Sequence, residues 1–325
     1  MTNSPKNFAL IGVAGFIAPK HLNAIKLTGN RLVAAADKHD AVGVLDQYFP
    51  DANFFTEIER FDRFIEKQRR DPSGTPIHYI SVCTPNYLHD SHCRLALRTG
   101  AHAICEKPLV INPWNLDQLR DLEQDYQRRV YSVLQLRLHP DLVRLKQETD
   151  DSAGSPVRDI CLTYVTRRGK WYHRSWKGDV ERSGGIAMNI GVHFFDFLSW
   201  IYGRCDRSAL HLSQPTRMSG VLELEKARVR WFLSVDESDL PVEVRAKGGH
   251  AYRSLTVDGQ EIDLSTGFTD LHTEVYRDIL TGGGFGIADS QPAIELVYRI
   301  RTSPVVAADH SAHPLLSGKA VPPVE

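Results

Sequence analysis

Phe8-Ala9-Leu10-Ile11-Gly12-Val13-Ala14-Gly15-Phe16-Ile17-Ala18-Pro19 decides the fold. A short apolar run meets a glycine bend, and Pro19 then falls where the first turn of a helix tolerates it. Gly12 permits the tight turn, while small Ala14 and Gly15 let backbone amides approach a pyrophosphate at the helix N-terminus. Phe16 and Ile17 complete the bend, and Gly29 stops the helix. Ala14 and Ile17 stand where the dinucleotide fingerprint has its second and third glycines, so the surroundings carry the argument. A strand precedes, a helix follows, and an acid, Asp37, lies roughly 20 residues on at the end of the apolar run from Leu32. A carboxylate there accepts hydrogen bonds from a ribose diol and repels a 2′-phosphate. Asp37 therefore favours NAD over NADP, with Lys38 beside it as the one contrary charge.

Outward from this bend the chain keeps alternating. Helical patterns run from about Thr56 to Arg69 and Leu88 to Thr99, and another starts at Asn112-Pro113. Strands are expected at Ile77 to Cys83, Ala101 to Cys105 and Val130 to Arg137. Such alternation predicts an α/β Rossmann domain with a doubly wound parallel sheet. After a helix near Asp141 to Glu148 and a loop at residues 150–155, the rhythm changes to longer alternating strands. They are read at Val157 to Arg168, Leu210 to Gln214, Val221 to Leu224, Ala227 to Val235, Tyr252 to Val257 and Glu261 to Leu264. Asp258-Gly259 is a hairpin signal. The expectation is an NAD-binding domain over residues 1–131 and an α+β domain with a mostly antiparallel open sheet over 132–325. A helix near 289–302 is expected to pack back on the first domain.

Composition narrows the function classes. Of 325 residues, 42% are apolar and 24% charged, and the net charge of -1 gives no reason to expect a nucleic-acid or anionic-membrane partner. No apolar run approaches a bilayer span, and Met1-Thr2-Asn3-Ser4-Pro5-Lys6 has no signal-like core. Five scattered cysteines without a C-x-x-C pair point to a reducing, cytoplasmic setting, and against a disulfide framework or a structural zinc site.

Several segments carry chemistry. In Cys105-Glu106-Lys107-Pro108-Leu109 a lysine emerges from a buried strand at the edge where parallel sheets bind ligands. Read alone, Lys107 is an ordinary exposed strand-end residue; the company it keeps makes it a candidate. Thr84-Pro85-Asn86 would sit beside the first strand, where Asn86 can bond a ribose hydroxyl or merely cap the next helix, and His89 can pack on the cofactor. In the apolar helix from Met188 to Trp200, Asn189, His193 and Asp196 share a polar face opposite Ile190, Phe194 and Phe197. Between Tyr164 and Gly178, arginine, lysine, tyrosine and tryptophan crowd together, which suits an anionic, ring-bearing substrate or a basic subunit contact. Strand alternation sets Tyr164, Thr166 and Arg168 on one face and Arg167 on the other.

These motifs resemble the Gfo/Idh/MocA family of sugar oxidoreductases: the glycine turn, Thr84-Pro85-Asn86 through His89, Glu106-Lys107-Pro108, and Gly184-Gly185 through His193. The resemblance implies that Lys107 and His193 are the catalytic pair. It also implies that Gly12, Ala14, Gly15, Phe16, Ile17, Asp37, Lys38, Thr84, Pro85, Asn86, His89, Glu106 and Lys107 hold the cofactor. Many members carry aspartate four residues before the histidine, where this chain has Asn189. Within the family, the glycine turn, the Tyr164 to Gly178 stretch and the histidine helix look like the UDP-N-acetyl-D-glucosaminuronate 3-dehydrogenases of bacterial lipopolysaccharide and O-antigen sugar synthesis. That group oxidises the 3-hydroxyl to a ketone with NAD, restores the cofactor with 2-oxoglutarate, and forms tetramers. On this reading Lys107, Tyr164, Arg168, Ser175, Lys177, Asn189 and His193 contact the UDP-sugar, with Tyr276, four residues after His272, completing the pocket. The rival readings are another sugar or inositol dehydrogenase of the same fold and a non-catalytic sensor of NAD and sugar nucleotides.

Overall fold

The computed structural model describes residues 4–40, 42–151, 156–262 and 270–316. Residues 152–155 of the expected loop, 263–264 of the last expected strand and the first three residues of the N-terminal hexapeptide lie outside that range. In chain order the first elements are β1 (Asn7–Ile11), α1 (Ala18–Leu27), β2 (Arg31–Ala36), α2 (Val42–Tyr48), β3 (Asn53–Phe55) and α3 (Ile58–Arg70). They are followed by β4 (Tyr79–Val82), α4 (His89–Arg98), β5 (His102–Cys105), α5 (Trp114–Tyr126) and β6 (Val130–Ser132). The strands form a parallel six-stranded sheet in the order β3-β2-β1-β4-β5-β6. This is the doubly wound order of a dinucleotide-binding domain, with its switch point between β1 and β4.

The expected last strand is shorter than its apolar pattern suggested. After Ser132 the backbone curls: the Leu134 N–H returns to Ser132 O (2.9 Å) and the Arg137 N–H to Leu134 O (3.0 Å), giving a 3₁₀ turn over Gln135–Leu138. An apolar run does not by itself distinguish a buried strand from a buried turn.

The remaining elements are α6 (Pro140–Asp151), β7 (Arg158–Thr166), α7 (Trp171–Arg174), α8 (Val180–Ser183), α9 (Val192–Tyr202), β8 (Cys205–Ser213), β9 (Arg217–Leu224) and β10 (Ala227–Ser234). Last come α10 (Val242–Ala246), β11 (Ala251–Val257), β12 (Gln260–Glu261), α11 (Leu271–Leu280) and α12 (Ile287–Thr302). The second sheet runs β12-β11-β7-β10-β9-β8; β7 and β10 pair in parallel and the other described strand pairs are antiparallel. Asp258 and Gly259 both take positive φ (+50° and +80°), as a two-residue hairpin turn requires, and join β11 to β12. α9 packs on this sheet through its apolar side: Phe195 meets the fully buried Trp231 edge-on, with ring centroids 5.3 Å apart.

The chain forms two compact units. The first comprises residues 1–138 and 270–291, and the second 139–269 and 292–325. α11 thus belongs to the unit built by the N-terminal part of the chain, where Val275, Tyr276 and Ile279 join the core around Phe8, Leu10, Leu22 and Ile25.

Candidate functional site

In the first unit four strand ends stand in one row. Ile11 pairs with Ala36 and with Val82, and Val82 with Cys105. The residues that follow continue the ladder: Gly12 N–H reaches Ala36 O (2.8 Å), Cys83 N–H reaches Ile11 O (2.8 Å) and Glu106 N–H reaches Val82 O (3.0 Å). The glycine turn, Asp37, the Thr84 segment and Glu106-Lys107 therefore share one carboxyl edge. Gly12 adopts φ +92°, and a Cβ on Gly15 would lie 3.0 Å from Gly12 O and 3.2 Å from Cys83 O. Ala14 and Phe16 are exposed on the outside of the bend, and Ile17 leads into α1. Asp37 closes the bend from the next strand: Oδ2 accepts the Ala14 N–H (3.0 Å) and Oδ1 the His39 N–H (2.9 Å). Lys38 is exposed.

His89 and Glu106 were expected on the cofactor, yet their polar atoms are engaged inside the unit. His89 is buried with Nδ1 2.7 Å from Pro108 O and Nε2 2.7 Å from Thr84 O, so it braces the Thr84 segment against the one that carries Lys107. Burial lowers its proton affinity, while the two carbonyls oppose that. Thr84 Oγ1 shares a hydrogen bond with His92 Nδ1 (3.0 Å), and Asn86 is buried next to Pro85 in the 3₁₀ turn before α4. Burial pulls His92 down to about 4.

Glu106 Oε1 accepts from His21 Nε2 and His272 Nε2, each at 2.9 Å. Burial by itself would raise the carboxyl's proton affinity, but the hydrogen bonds from the two histidines hold it well below the usual range. His21 is pushed down by burial in spite of Glu106. Both directions agree on an ionised carboxylate accepting from a neutral imidazole. Tyr276 also lies away from its expected place: it is fully buried, with its hydroxyl 2.8 Å from His21 Nδ1 and 2.6 Å from Ser81 Oγ. It is a core residue of the first unit, with no exposed surface for a sugar. Nothing in the sequence singled out His21 or Ser81; a histidine midway along a helix carries no local signal of its partner.

The second unit gathers the other candidates. Asn189 lies in a π turn over Ala187–Gly191, and His193 follows in the first turn of α9. A π turn widens the helix locally and re-aims its side chains. Asn189 hydrogen-bonds the hydroxyl of Tyr172, a buried residue that the sequence reading passed over. Tyr164 packs against Phe194 (centroids 5.0 Å apart) with the Arg253 guanidinium over its ring. Arg167 pairs with Glu237 at 2.8 Å, whereas Arg168 is exposed and makes no ion pair among the described residues. Ser175 Oγ donates to Tyr172 O (2.9 Å) and accepts the Lys177 N–H (3.3 Å), so it caps a turn. Lys177 Nζ lies over the Trp176 ring, and burial, with Arg168's charge adding to it, lowers its proton affinity. Two neighbouring cations without a described counter-ion make this an anion-receptive surface.

A parallel sheet with a glycine bend at its switch point and an acid after the second strand defines a dinucleotide-dependent enzyme. A family model for oxidoreductases with an NAD-binding Rossmann fold matches residues 6–134, and one for the family's C-terminal α/β domain matches 154–313. The chain belongs to the Gfo/Idh/MocA oxidoreductase family, and its first domain is an NAD-binding Rossmann domain. Among solved structures it is similar to the WlbA (WbpB) dehydrogenase of Thermus thermophilus in complex with NAD and alpha-ketoglutarate. The identity is 49%, the match covers 95% of this chain and 99% of that one, and the TM-score is 0.91. A second structure of that enzyme, with NAD and UDP-GlcNAcA, is 48% identical over the same coverage, also with a TM-score of 0.91. The D-glucoside 3-dehydrogenase of Escherichia coli (strain K12) is 26% identical over 207 residues, 62% of this chain, and the match spans only 56% of that protein's length. Among the described residues no helix is long and apolar enough to cross a membrane.

The residues fit the dinucleotide. Gly12 and Gly15 let the bend press against the backbone leaving β4, where a Cβ would collide, and so bring the chain tightly to the N-terminal end of α1, whose first amides attract phosphate. Asp37 presents a carboxylate beside it.

Proposed function

We propose that this protein oxidises the 3-hydroxyl of UDP-N-acetyl-D-glucosaminuronate to a ketone with NAD, in lipopolysaccharide and O-antigen sugar synthesis. The observation that carries the reading is the near full-length likeness, at 48% identity, to a dehydrogenase whose structure holds NAD and UDP-GlcNAcA. When bound, NAD supplies the hydride acceptor. The N-terminus of α1, approached across the bend at Gly12, Ala14 and Gly15, would hold its pyrophosphate, and Asp37 its adenosine ribose. His193 accepts the 3-hydroxyl proton at a ring nitrogen, since an imidazole's ordinary proton affinity lies near neutrality. Lys107 holds the developing alkoxide at Nζ and passes the proton on. Arg168 and Lys177 grip the sugar's carboxylate or diphosphate. Asn189, neutral and bonded to Tyr172, orients rather than ionises. The likeness to a complex with alpha-ketoglutarate supports 2-oxoglutarate as the co-substrate that restores NAD. The same reading makes the enzyme a cytoplasmic homotetramer.

The test is NADH absorbance across a panel of UDP-sugars and free sugars, with and without 2-oxoglutarate, together with isolation of the keto sugar. The expected result is turnover with UDP-N-acetylglucosaminuronate alone. A response to neutral sugars instead assigns the enzyme to another substrate. Lys107→Ala and His193→Ala should each still bind NAD while losing about 10²–10⁴-fold in turnover, the usual worth of positioned proton transfer. Near-normal rates in both would discard the scheme.

A further inference from the structure

Glu106 is a buried carboxylate with both oxygens in use, and it and the groups around it come from four separate segments of the first unit. His21 lies on α1, Ser81 on β4, His272 and Tyr276 on α11, and Glu106 itself follows β5. An ionised carboxylate only accepts hydrogen bonds, so both Nε2 atoms facing Oε1 must carry protons. With its proton on Nε2, neutral His21 can only accept at Nδ1, so the Tyr276 hydroxyl donates there. Tyr276 oxygen can then take the Ser81 O–H. One assignment of protons satisfies the whole chain, and every donor points towards Glu106. The other oxygen, Oε2, accepts the backbone N–H of Lys107 (3.3 Å).

We propose that His21, His272 and Tyr276 are positioning residues that hold Glu106 as a fixed buried anion and, through it, hold Lys107 where its proton chemistry requires. The proposal rests on the reading that Lys107 handles the substrate proton. The ligand-capable atoms of His21, Glu106 and His272 lie within 4.8 Å of one another, a spacing a metal ion would also accept. The hydrogen bonds already satisfy all three, and a cation would have to displace two of those protons.

The experiment compares His272→Leu, His272→Gln and Tyr276→Phe in the full-length enzyme. It measures kcat and KM with UDP-N-acetylglucosaminuronate, NAD affinity by fluorescence, and the metal content of the purified wild type. His272→Leu removes the donor to Glu106; kcat should fall by about 10-fold or more, while KM and NAD affinity stay within about 2-fold. His272→Gln keeps an N–H donor and should restore kcat to within about 3-fold of wild type. Tyr276→Phe, which alters the core by one oxygen, should fall between them. It decides the question if His272→Leu does not fold. Equal losses in His272→Leu and His272→Gln, unchanged kcat in Tyr276→Phe and His272→Leu, or a stoichiometric bound metal each overturn the relay. Lys107→Ala separates the two layers. If it is inactive while the relay variants turn over normally, the relay alone fails; if it is active, the role of Lys107 fails as well.

Discussion

A methyl group added at Gly12 would sit 2.7 Å from the carbonyl carbon and oxygen of Cys83, in a backbone at φ +92° that L residues avoid. Neither neighbour can give way, because both belong to the chain leaving β4. Gly29 offers the comparison: its φ is +73°, but nothing lies within 4 Å of the added Cβ. Gly12→Ala should therefore cost about 1–3 kcal/mol of stability from strain and contact together, whereas Gly29→Ala should cost only its conformational share of roughly 1 kcal/mol. Function separates them further. NAD affinity, read by quenching of intrinsic fluorescence, should fall at least tenfold in Gly12→Ala, because the displaced amides no longer converge, and should hold in Gly29→Ala. Equal NAD affinity in the two variants would show that the bend does not shape the phosphate site.

At the scale of elements, the segment after α12 meets the second sheet at Leu210, where the Val306 N–H donates to its carbonyl at 2.8 Å, and again through a buried histidine. His313 is fully buried, with Nε2 2.9 Å from Thr163 Oγ1 on β7, Nδ1 accepting the Leu315 N–H (3.2 Å), and its ring stacked on Phe232 of β10. Burial, with a contribution from Arg230, lowers its proton affinity to about 3. The sign follows from linkage. Unfolded, the imidazole takes a proton as pH drops through its ordinary value near 6.5; folded, it resists until about 3. Its contribution is complete above pH 6.5 and is lost progressively as pH falls towards 3, by up to roughly 3–5 kcal/mol. His313→Asn keeps an acceptor for Leu315 and removes the titration. The urea midpoint of the wild type should thus fall more steeply between pH 7.5 and pH 5 than that of the variant, and parallel slopes would refute the assignment. Elements also show what could be read in advance. β1, the bend, α1, β2 and the Asp258-Gly259 hairpin were legible because period, glycine placement and turn chemistry are local. The same local logic set His272 and Tyr276 on one face of α11. It could not say which body that face would meet, and the answer, the core of the first unit, turned an expected pocket residue into a buried one. The short helical turns α7 and α8 escaped because four residues give too few positions to show a period.

For the molecule as a whole, the consequence is that the NAD-binding unit cannot be cut out at the end of its sequence-continuous part. The chain leaves that unit after Leu138 and comes back for residues 270–291. Within the returning stretch Val275, Tyr276 and Ile279 are at most 2% exposed, and Tyr276 stacks on Phe8 of β1 with centroids 5.8 Å apart. The Phe285 carbonyl accepts the Ser132 N–H at 2.8 Å, extending the free edge of β6, and the Arg137 guanidinium donates to Asp289 O at 2.7 Å. Burying three large side chains is worth about 5–8 kcal/mol, the same size as the total stability of roughly 5–15 kcal/mol expected of such a unit. A fragment of residues 1–138 should therefore show no cooperative thermal transition by circular dichroism, and it should bind NAD at least tenfold more weakly than the intact chain. Joining 270–291 to it through a flexible linker should restore both. Cooperative melting of the 1–138 fragment alone would mean that α11 decorates the first unit rather than completing its core, and would also remove the scaffold on which His272 and Tyr276 are held against Glu106.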